Sequence, residues 1–140
     1  MQTELFRFHD VSRFPIVKLQ GRDLPPGYGP AWAAEMEMLL DQPTPFALVF
    51  PSSAVDETHE DQKLRTIWLK AHKKPLARKC RGIFSVEPNT AMRLIKKAQG
   101  AAIALAFGLQ FRVTATETEA DALAALVLGG SALPDDTGSE

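Results

Sequence analysis

Few residues in this sequence combine a reactive side chain with neighbours that could support catalysis or metal binding. Cys80 stands between Lys79 and Arg81, and neighbouring cations lower the pKa of a thiol, which would make Cys80 a nucleophile. The alternative interpretation is structural, because a lone cysteine at the start of a strand is commonly a small buried residue.

His59 lies in an acidic segment, where an imidazole and carboxylates together could hold a cation. Its acidic neighbours are Asp56, Glu57, Glu60 and Asp61. The same composition is typical of a solvated first helical turn, where acidic side chains favour the helix dipole. His9 and His72 stand alone in the sequence, and we expect neither to act in catalysis.

The common catalytic signatures are absent from the sequence. It contains no His-Glu-x-x-His metal motif, no Gly-x-Ser-x-Gly elbow and no Walker or dinucleotide-binding glycine pattern. Its one cysteine excludes an intrachain disulfide and a cysteine-based zinc site. We therefore predict a protein that is not an enzyme and needs no cofactor. An unfamiliar active site near Cys80 or His59 is kept as an alternative.

Charge is distributed unevenly along the chain. Between Lys63 and Lys97 there are eleven Lys or Arg residues and one acid, Glu87, for a net charge of +10, whereas the remainder is −11. If its cations converge, this segment would bind an acidic protein, a small anionic ligand or an anionic membrane surface. The candidate patch consists of Lys70, Lys73, Lys74, Arg78, Lys79, Arg93, Lys96 and Lys97. Nucleic acid is disfavoured, because Trp68, an aromatic residue of this segment, is predicted to face the core and no known reader motif is present.

A loop rich in glycine and proline offers a second candidate. Leu24 to Pro30 reads Leu-Pro-Pro-Gly-Tyr-Gly-Pro, between a predicted strand and a predicted helix. Loops at that position bind ligands in open α/β sheets. Gly27, Tyr28 and Gly29 are therefore the candidate ligand rim.

The elements that must position these residues alternate between strands and helices. Apolar runs predict strands at 14–19, 46–50, 83–86 and 109–115, and a shorter one near 4–9. Helices are expected from Pro30 to Pro43, from about Thr58 until Pro75 stops it, from Thr90 to Phe107 and from Thr116 to Leu128. This order predicts one α/β domain, with a mostly parallel sheet of four to five strands flanked by helices.

Within two of these helices the periodicity predicts which residues face the core. In the first, Trp32, Met36, Leu39 and Leu40 form the apolar stripe, and Glu35 and Glu37 lie off it. In the helix from Thr90, the polar face carries Arg93, Lys96, Lys97 and Gly100. Its predicted inward face consists of Ala91, Ile95, Ala98, Ala102 and Leu105.

The totals fit one domain of ordinary composition. The chain has 140 residues, of which 45% are hydrophobic and 24% charged. We assign residues 1–128 to the domain and residues 129–140, which are small, polar and acidic, to a disordered tail. No targeting segment or membrane span is evident, and a cytoplasmic location is expected. The oligomeric state is left open.

Four pieces of the chain are similar in layout and character to one known family. They are Phe46-Ala47-Leu48-Val49-Phe50, the helix through Leu64-Arg65-Thr66-Ile67-Trp68-Leu69, the strand Arg81-Gly82-Ile83-Phe84-Ser85-Val86, and the ending Phe111-Arg112-Val113 followed by Thr116 to Leu123. Through these pieces the chain, roughly from Phe14 to Leu128, resembles the SpoIIAA-like branch of the STAS superfamily. The resemblance implies a non-catalytic binding or regulatory module that engages a protein partner. The family's Asp-Ser-Ser-Gly phosphorylation segment is replaced here by Pro51-Ser52-Ser53-Ala54, so the phosphoswitch is not carried over.

Overall fold

Five strands form one sheet in the part of the chain that the computed structural model describes, residues 3–19, 24–51 and 57–134. They lie side by side in chain order, β1-β2-β3-β4-β5. The first pair is antiparallel, and the other three pairs are parallel. The strands are β1 His9–Asp10, β2 Ile16–Leu19, β3 Phe46–Phe50, β4 Cys80–Val86 and β5 Phe111–Thr114. The predicted α/β class with a mostly parallel, helix-flanked sheet is confirmed.

The helices are α1 Gly29–Leu40, α2 His59–Ala71, α3 Lys73–Lys79, α4 Thr90–Phe107 and α5 Glu117–Leu128. Three of them begin at a polar residue whose side chain accepts a backbone N–H of the first turn, which satisfies a donor that the helix leaves free. These caps are Thr58, Asn89 and Thr116. None of the helices in the described ranges is long and apolar enough to cross a bilayer.

The strand order places most helices on one face of the sheet. Every parallel connection steps to the next strand in the same direction, so right-handed crossovers put the connecting helices on the same side. Leu48 and Ile83 point toward this side, where they share a core with residues of α1, α2 and α3. Val49 and Phe84 point to the opposite side, which α5 covers. Because the order never reverses in the described sheet, it lacks the crevice that forms at a topological switch point.

The prediction that Pro75 stops the helix begun at Thr58 is wrong. That helix ends at Ala71, and Pro75 lies in the first turn of the short helix α3. Proline is tolerated there because the first turn has no intrahelical acceptor for its missing N–H. The extra helix buries Leu76 completely.

The chain contacts the domain beyond the boundary that we predicted at Gly129. Leu133 packs against the core beneath α5, and Arg112 donates a hydrogen bond to the Pro134 carbonyl at 2.6 Å. The rest of the predicted tail, residues 135–140, lies outside the described residues.

Candidate binding surfaces

The face of α4 that we predicted to point inward points to solvent instead. Ala91, Ala98 and Ala102 are exposed, and Ile95 and Leu105 are 51% and 88% exposed. The buried residues of α4 are two that we had assigned to its polar face, Arg93 and Gly100. The predicted orientation of this helix is therefore wrong.

The inward face of α4 is held by close packing and by buried hydrogen bonds. A Cβ at Gly100 would lie 2.0 Å from Cδ1 of Phe111, so glycine is what lets the helix approach strand β5. Arg93 donates hydrogen bonds to the carbonyl oxygens of Glu87 and Pro88 at 2.9 and 3.1 Å. Lys96 pairs with the Glu87 carboxylate at 3.0 Å. These contacts turn the apolar side of the helix outward.

The outward side forms a continuous apolar surface without a charged residue, which we call the α4 outer face. It consists of Ala91, Leu94, Ile95, Ala98, Ala101, Ala102 and Leu105. With the flanking Met92 and Ile103, the larger side chains are 38–88% exposed. This leaves on the order of 500 Å² of apolar surface in water, toward the upper end for a monomer's largest patch. Patches of that size commonly mark binding sites.

The structure does not bring the predicted cations together into one patch. Lys70, Lys73, Lys74 and Arg78 are exposed on α2 and α3. Lys79 donates to the Gln42 carbonyl, Lys97 is half-buried, and Arg93 and Lys96 are engaged around Glu87.

Strand β4 separates the two groups of cations. Helix α3 immediately precedes β4, whereas Arg93 and Lys96 follow its other end. A seven-residue strand spans roughly 20 Å, so the two groups of cations lie toward opposite ends of the parallel strands.

The glycine loop is anchored by a buried carboxylate of helix α2. Asp61 accepts hydrogen bonds from the backbone N–H groups of Gly27 and Gly29, at 2.8 and 2.9 Å. Burial raises the pKa of Asp61, but these bonds and one from Thr58 outweigh it and lower the pKa below its usual value. The N–H groups that would cradle an anion are thus already occupied. Gly27 adopts φ +86°, which favours glycine.

The third residue of the predicted rim, Tyr28, is buried and points toward α2. Its hydroxyl donates to Glu57, which also pairs with Arg65 at 2.5 Å. Burial and the Glu57 carboxylate raise the pKa of Tyr28.

An apolar cavity of about 140 Å³ opens beside this tyrosine, between the sheet and the helices. Its walls come from the loop, from all four helices of that face and from the strands. They include Leu24, Tyr28, Trp32, Leu69, Ile103 and Phe111. Arg65 is the charged residue of the lining, and its guanidinium is already paired. The cavity therefore suits a small neutral ligand better than an anion.

The two residues that could have supported catalysis lie in settings that do not favour it. Cys80 is buried, and burial raises the pKa of its thiol to about 12, which overrides the nearby cations. His59 is exposed, while Asp61 turns away to the glycine loop and Glu57 to Arg65. No three potential metal ligands cluster within residues 3–19, 24–51 and 57–134, and Asp56 lies outside them.

One buried polar pair escaped the sequence analysis. Glu35, which we placed off the apolar stripe, is only 3% exposed and accepts hydrogen bonds from the backbone of residues 7–9. His9 is also buried and lies 2.7 Å from Glu35 through Nδ1. The spacing of Glu35 three residues after Trp32 was the available signal, because residues three apart share a helix face. The pair ties the N-terminal segment to α1.

Comparison with protein-family models, with curated proteins and with solved structures gave no match for this chain.

Proposed function

We propose that this protein is a non-catalytic binding module, of STAS-like type, that engages a protein partner through the α4 outer face. The observation that carries the proposal is the exposure of Leu94, Ile95 and Leu105 on a helix whose opposite side is anchored. Each Å² of apolar surface removed from water contributes roughly 25 cal/mol, so a partner that covers this face gains substantial free energy.

The STAS-like assignment is supported by the alternation of strands and helices and by the Ala-Leu-rich final helix. We do not extend the proposal to a phosphoswitch, since Ser52 and Ser53 lack the family's flanking residues. Both serines lie outside the described residues. Binding of an acidic partner stays a prediction. It now concerns the four residues of the candidate patch that are exposed, Lys70, Lys73, Lys74 and Arg78.

Site-specific crosslinking tests the surface directly. A photoreactive residue is placed at Leu105 in the full chain, in its native host, with Ile67 as the matched position. Ile67 is 57% exposed on α2 and lies outside the α4 outer face. We expect a discrete crosslinked protein from position 105 that is absent from position 67 and is lost in the Leu94→Lys variant. Equal crosslinking at the two positions, or none at 105, contradicts the proposal.

A second candidate function is the binding of a small apolar molecule in the cavity beside Tyr28. An engineered cavity of about 150 Å³ in another protein binds benzene, which sets the scale for this one. This ligand class replaces the anionic ligand expected from the sequence, because Glu57 already neutralises Arg65.

Thermal shift with benzene, indole and short alcohols tests this second function. A ligand at a hundred times its dissociation constant stabilises the folded state by about 2.7 kcal/mol. The control variant is Leu69→Phe, which fills the cavity and should abolish the shift. Equal shifts in both proteins would place the ligand elsewhere, and no shift in the wild type contradicts the candidate.

A further inference from the structure

We infer that the partner of the α4 outer face is a second copy of this chain, packed antiparallel across a two-fold axis at Ala98. This inference rests on the proposed function, because it names the partner of the same surface. It draws on the spacing of the exposed residues, on their sizes and on the charges around them.

The spacing of the exposed residues is that of a helix–helix seam. Ala91, Leu94, Ala98, Ala101 and Leu105 follow one another at alternating intervals of three and four residues, and all five are exposed. This heptad spacing keeps apolar side chains along one line, which lets two helices pack with a small crossing angle. In this chain the line faces solvent rather than the sheet.

The sizes of the residues match only in the antiparallel arrangement. A two-fold axis at Ala98 places Ala91 opposite Leu105, and Leu94 opposite Ala102 of the other copy. It also places Ile95 opposite Ala101, so each large side chain meets a small one, the arrangement that lets facing layers interdigitate. A parallel pair would set alanine against alanine at positions 91, 98 and 101 and leave voids.

Two of the three cations of α4 are held away from the seam. Arg93 is buried, and Lys96 is held by Glu87 on the inward side of the helix. Lys97 borders the seam beside Ala98 and is half-buried. An anionic membrane is disfavoured as the partner, because interfacial helices are rich in Lys and Arg, whereas only Lys97 borders this apolar face.

The area of the face is sufficient for a dimer. Helix α4 has 18 residues, which corresponds to a length of about 27 Å. With its exposed alanines included, each copy offers on the order of 600 Å², or about 1,200 Å² for the pair, the lower end for specific interfaces. The residues outside the described ranges include only Met1, Ala54 and Val55 as apolar ones, so they offer no matching segment.

The dimer is tested by sedimentation equilibrium of the full chain, with Ala98→Glu as the disrupting variant and Ile67→Glu as the matched control. Both positions are exposed, and glutamate is a good helix former, so both variants should fold. We expect wild type and Ile67→Glu to be dimers. In Ala98→Glu two carboxylates would face each other at the axis, and the dissociation constant should rise roughly 100-fold.

The register is tested by oxidative crosslinking of cysteine variants, with the buried Cys80 left in place. Ala98→Cys should form an intermolecular disulfide with itself. Ala91→Cys should not, because its two copies would be about 21 Å apart along the antiparallel pair. A mixture of Ala91→Cys with Leu105→Cys should crosslink, and self-crosslinking of Ala91→Cys would overturn the antiparallel arrangement.

The remaining outcomes separate this inference from the proposed function. A wild-type protein that stays monomeric to several hundred micromolar overturns the dimer, and a crosslink from position 105 to another protein would still support the proposed function. A dimer that Ala98→Glu leaves intact overturns the inference, because its interface lies elsewhere. Monomers that bind vesicles of phosphatidylserine and phosphatidylcholine, with binding lost in Ala98→Glu, overturn it in favour of a membrane surface.

Discussion

Helices α4 and α5 are both rich in alanine and leucine, yet they use these residues in opposite ways. Helix α5 buries Ala120, Ala124 and Val127 against the sheet. Helix α4 buries an arginine and a glycine and leaves its leucines in water. The difference shows that the apolar content of a helix does not decide what its apolar side chains contact. Two contacts determine which side of α4 faces the sheet: Gly100 packs against Phe111, and Arg93 donates a hydrogen bond to the Glu87 carbonyl.

The largest expected effect comes from removing the apolar support of α5. Phe84 is fully buried in the core that α5 covers. Phe84→Ala should lower the free energy of unfolding by about 3–5 kcal/mol, through lost transfer energy and the cavity left behind. Leu105→Ala on α4 should change the free energy of unfolding of the monomer by less than about 0.5 kcal/mol. Urea unfolding at a monomeric concentration measures both, and a comparable loss at Leu105 would contradict the contrast.

A somewhat smaller effect is expected at the contact that holds α4 to the sheet. Gly100→Ala forces its new methyl group against the Phe111 ring and should cost about 1–3 kcal/mol of stability. Phe111→Leu relieves the crowding, so the double variant should lose less than the two single losses added together. A double-mutant cycle by thermal unfolding measures this coupling, and strict additivity would mean that Gly100 and Phe111 do not constrain each other.

The polar anchor of α1 should make stability dependent on pH. Burial raises the pKa of Glu35, but hydrogen bonds from His9 and the backbone of Arg7 and Phe8 outweigh it and lower the pKa. The stability that the Glu35 carboxylate contributes is therefore full above the usual glutamate pKa of 4.5. It is lost as the pH falls through the lowered pKa of Glu35 in the folded protein.

Replacing that carboxylate tests the anchor. Glu35→Gln should cost about 1–3 kcal/mol at pH 7 and should flatten the fall in stability below about pH 4.5. Denaturant unfolding between pH 3 and 7 checks both effects. An unchanged acid limb in the variant would show that other groups control acid unfolding.

The smallest expected effect is at Cys80. Because burial raises its pKa to about 12, a thiol reagent should leave the native protein unlabelled at pH 8 and react only on unfolding. The labelling rate then reports how often the helix-covered face opens, and Gly100→Ala should increase it. Rapid labelling of the native wild type would revive Cys80 as a reactive residue.

Where the deciding interactions are local, the sequence analysis predicted the structure well. The helix starts predicted at Thr58, Thr90 and Thr116 lie within one residue of the observed ones, and the strand Phe46–Phe50 has the predicted bounds. The inward stripe of α1 was also confirmed for Trp32, Met36 and Leu39, which are buried.

Apart from the helix break before Pro75, which is local, the errors arose where a partner distant in sequence decided the outcome. Glu35 is buried because the N-terminal segment, 26–28 residues away, supplies its donors. The predicted cations separate because the whole of β4 stands between them. The backbone N–H groups of the glycine loop are not free to bind an anion, because they donate hydrogen bonds to Asp61, 32–34 residues further along the chain.

The sequence by itself determined the alternation of strands and helices, apart from the break before α3, and the existence of an apolar stripe on α4, since each depends on neighbours within a few residues. Only the tertiary structure decided which way that stripe faces. Periodicity reports that a helix has two unlike faces, but the face that meets the sheet is chosen by steric fit and buried hydrogen bonds across the fold. Here a glycine against Phe111 and an arginine bound to the β4–α4 loop outweigh the burial of leucines. That choice leaves the α4 outer face available to a partner.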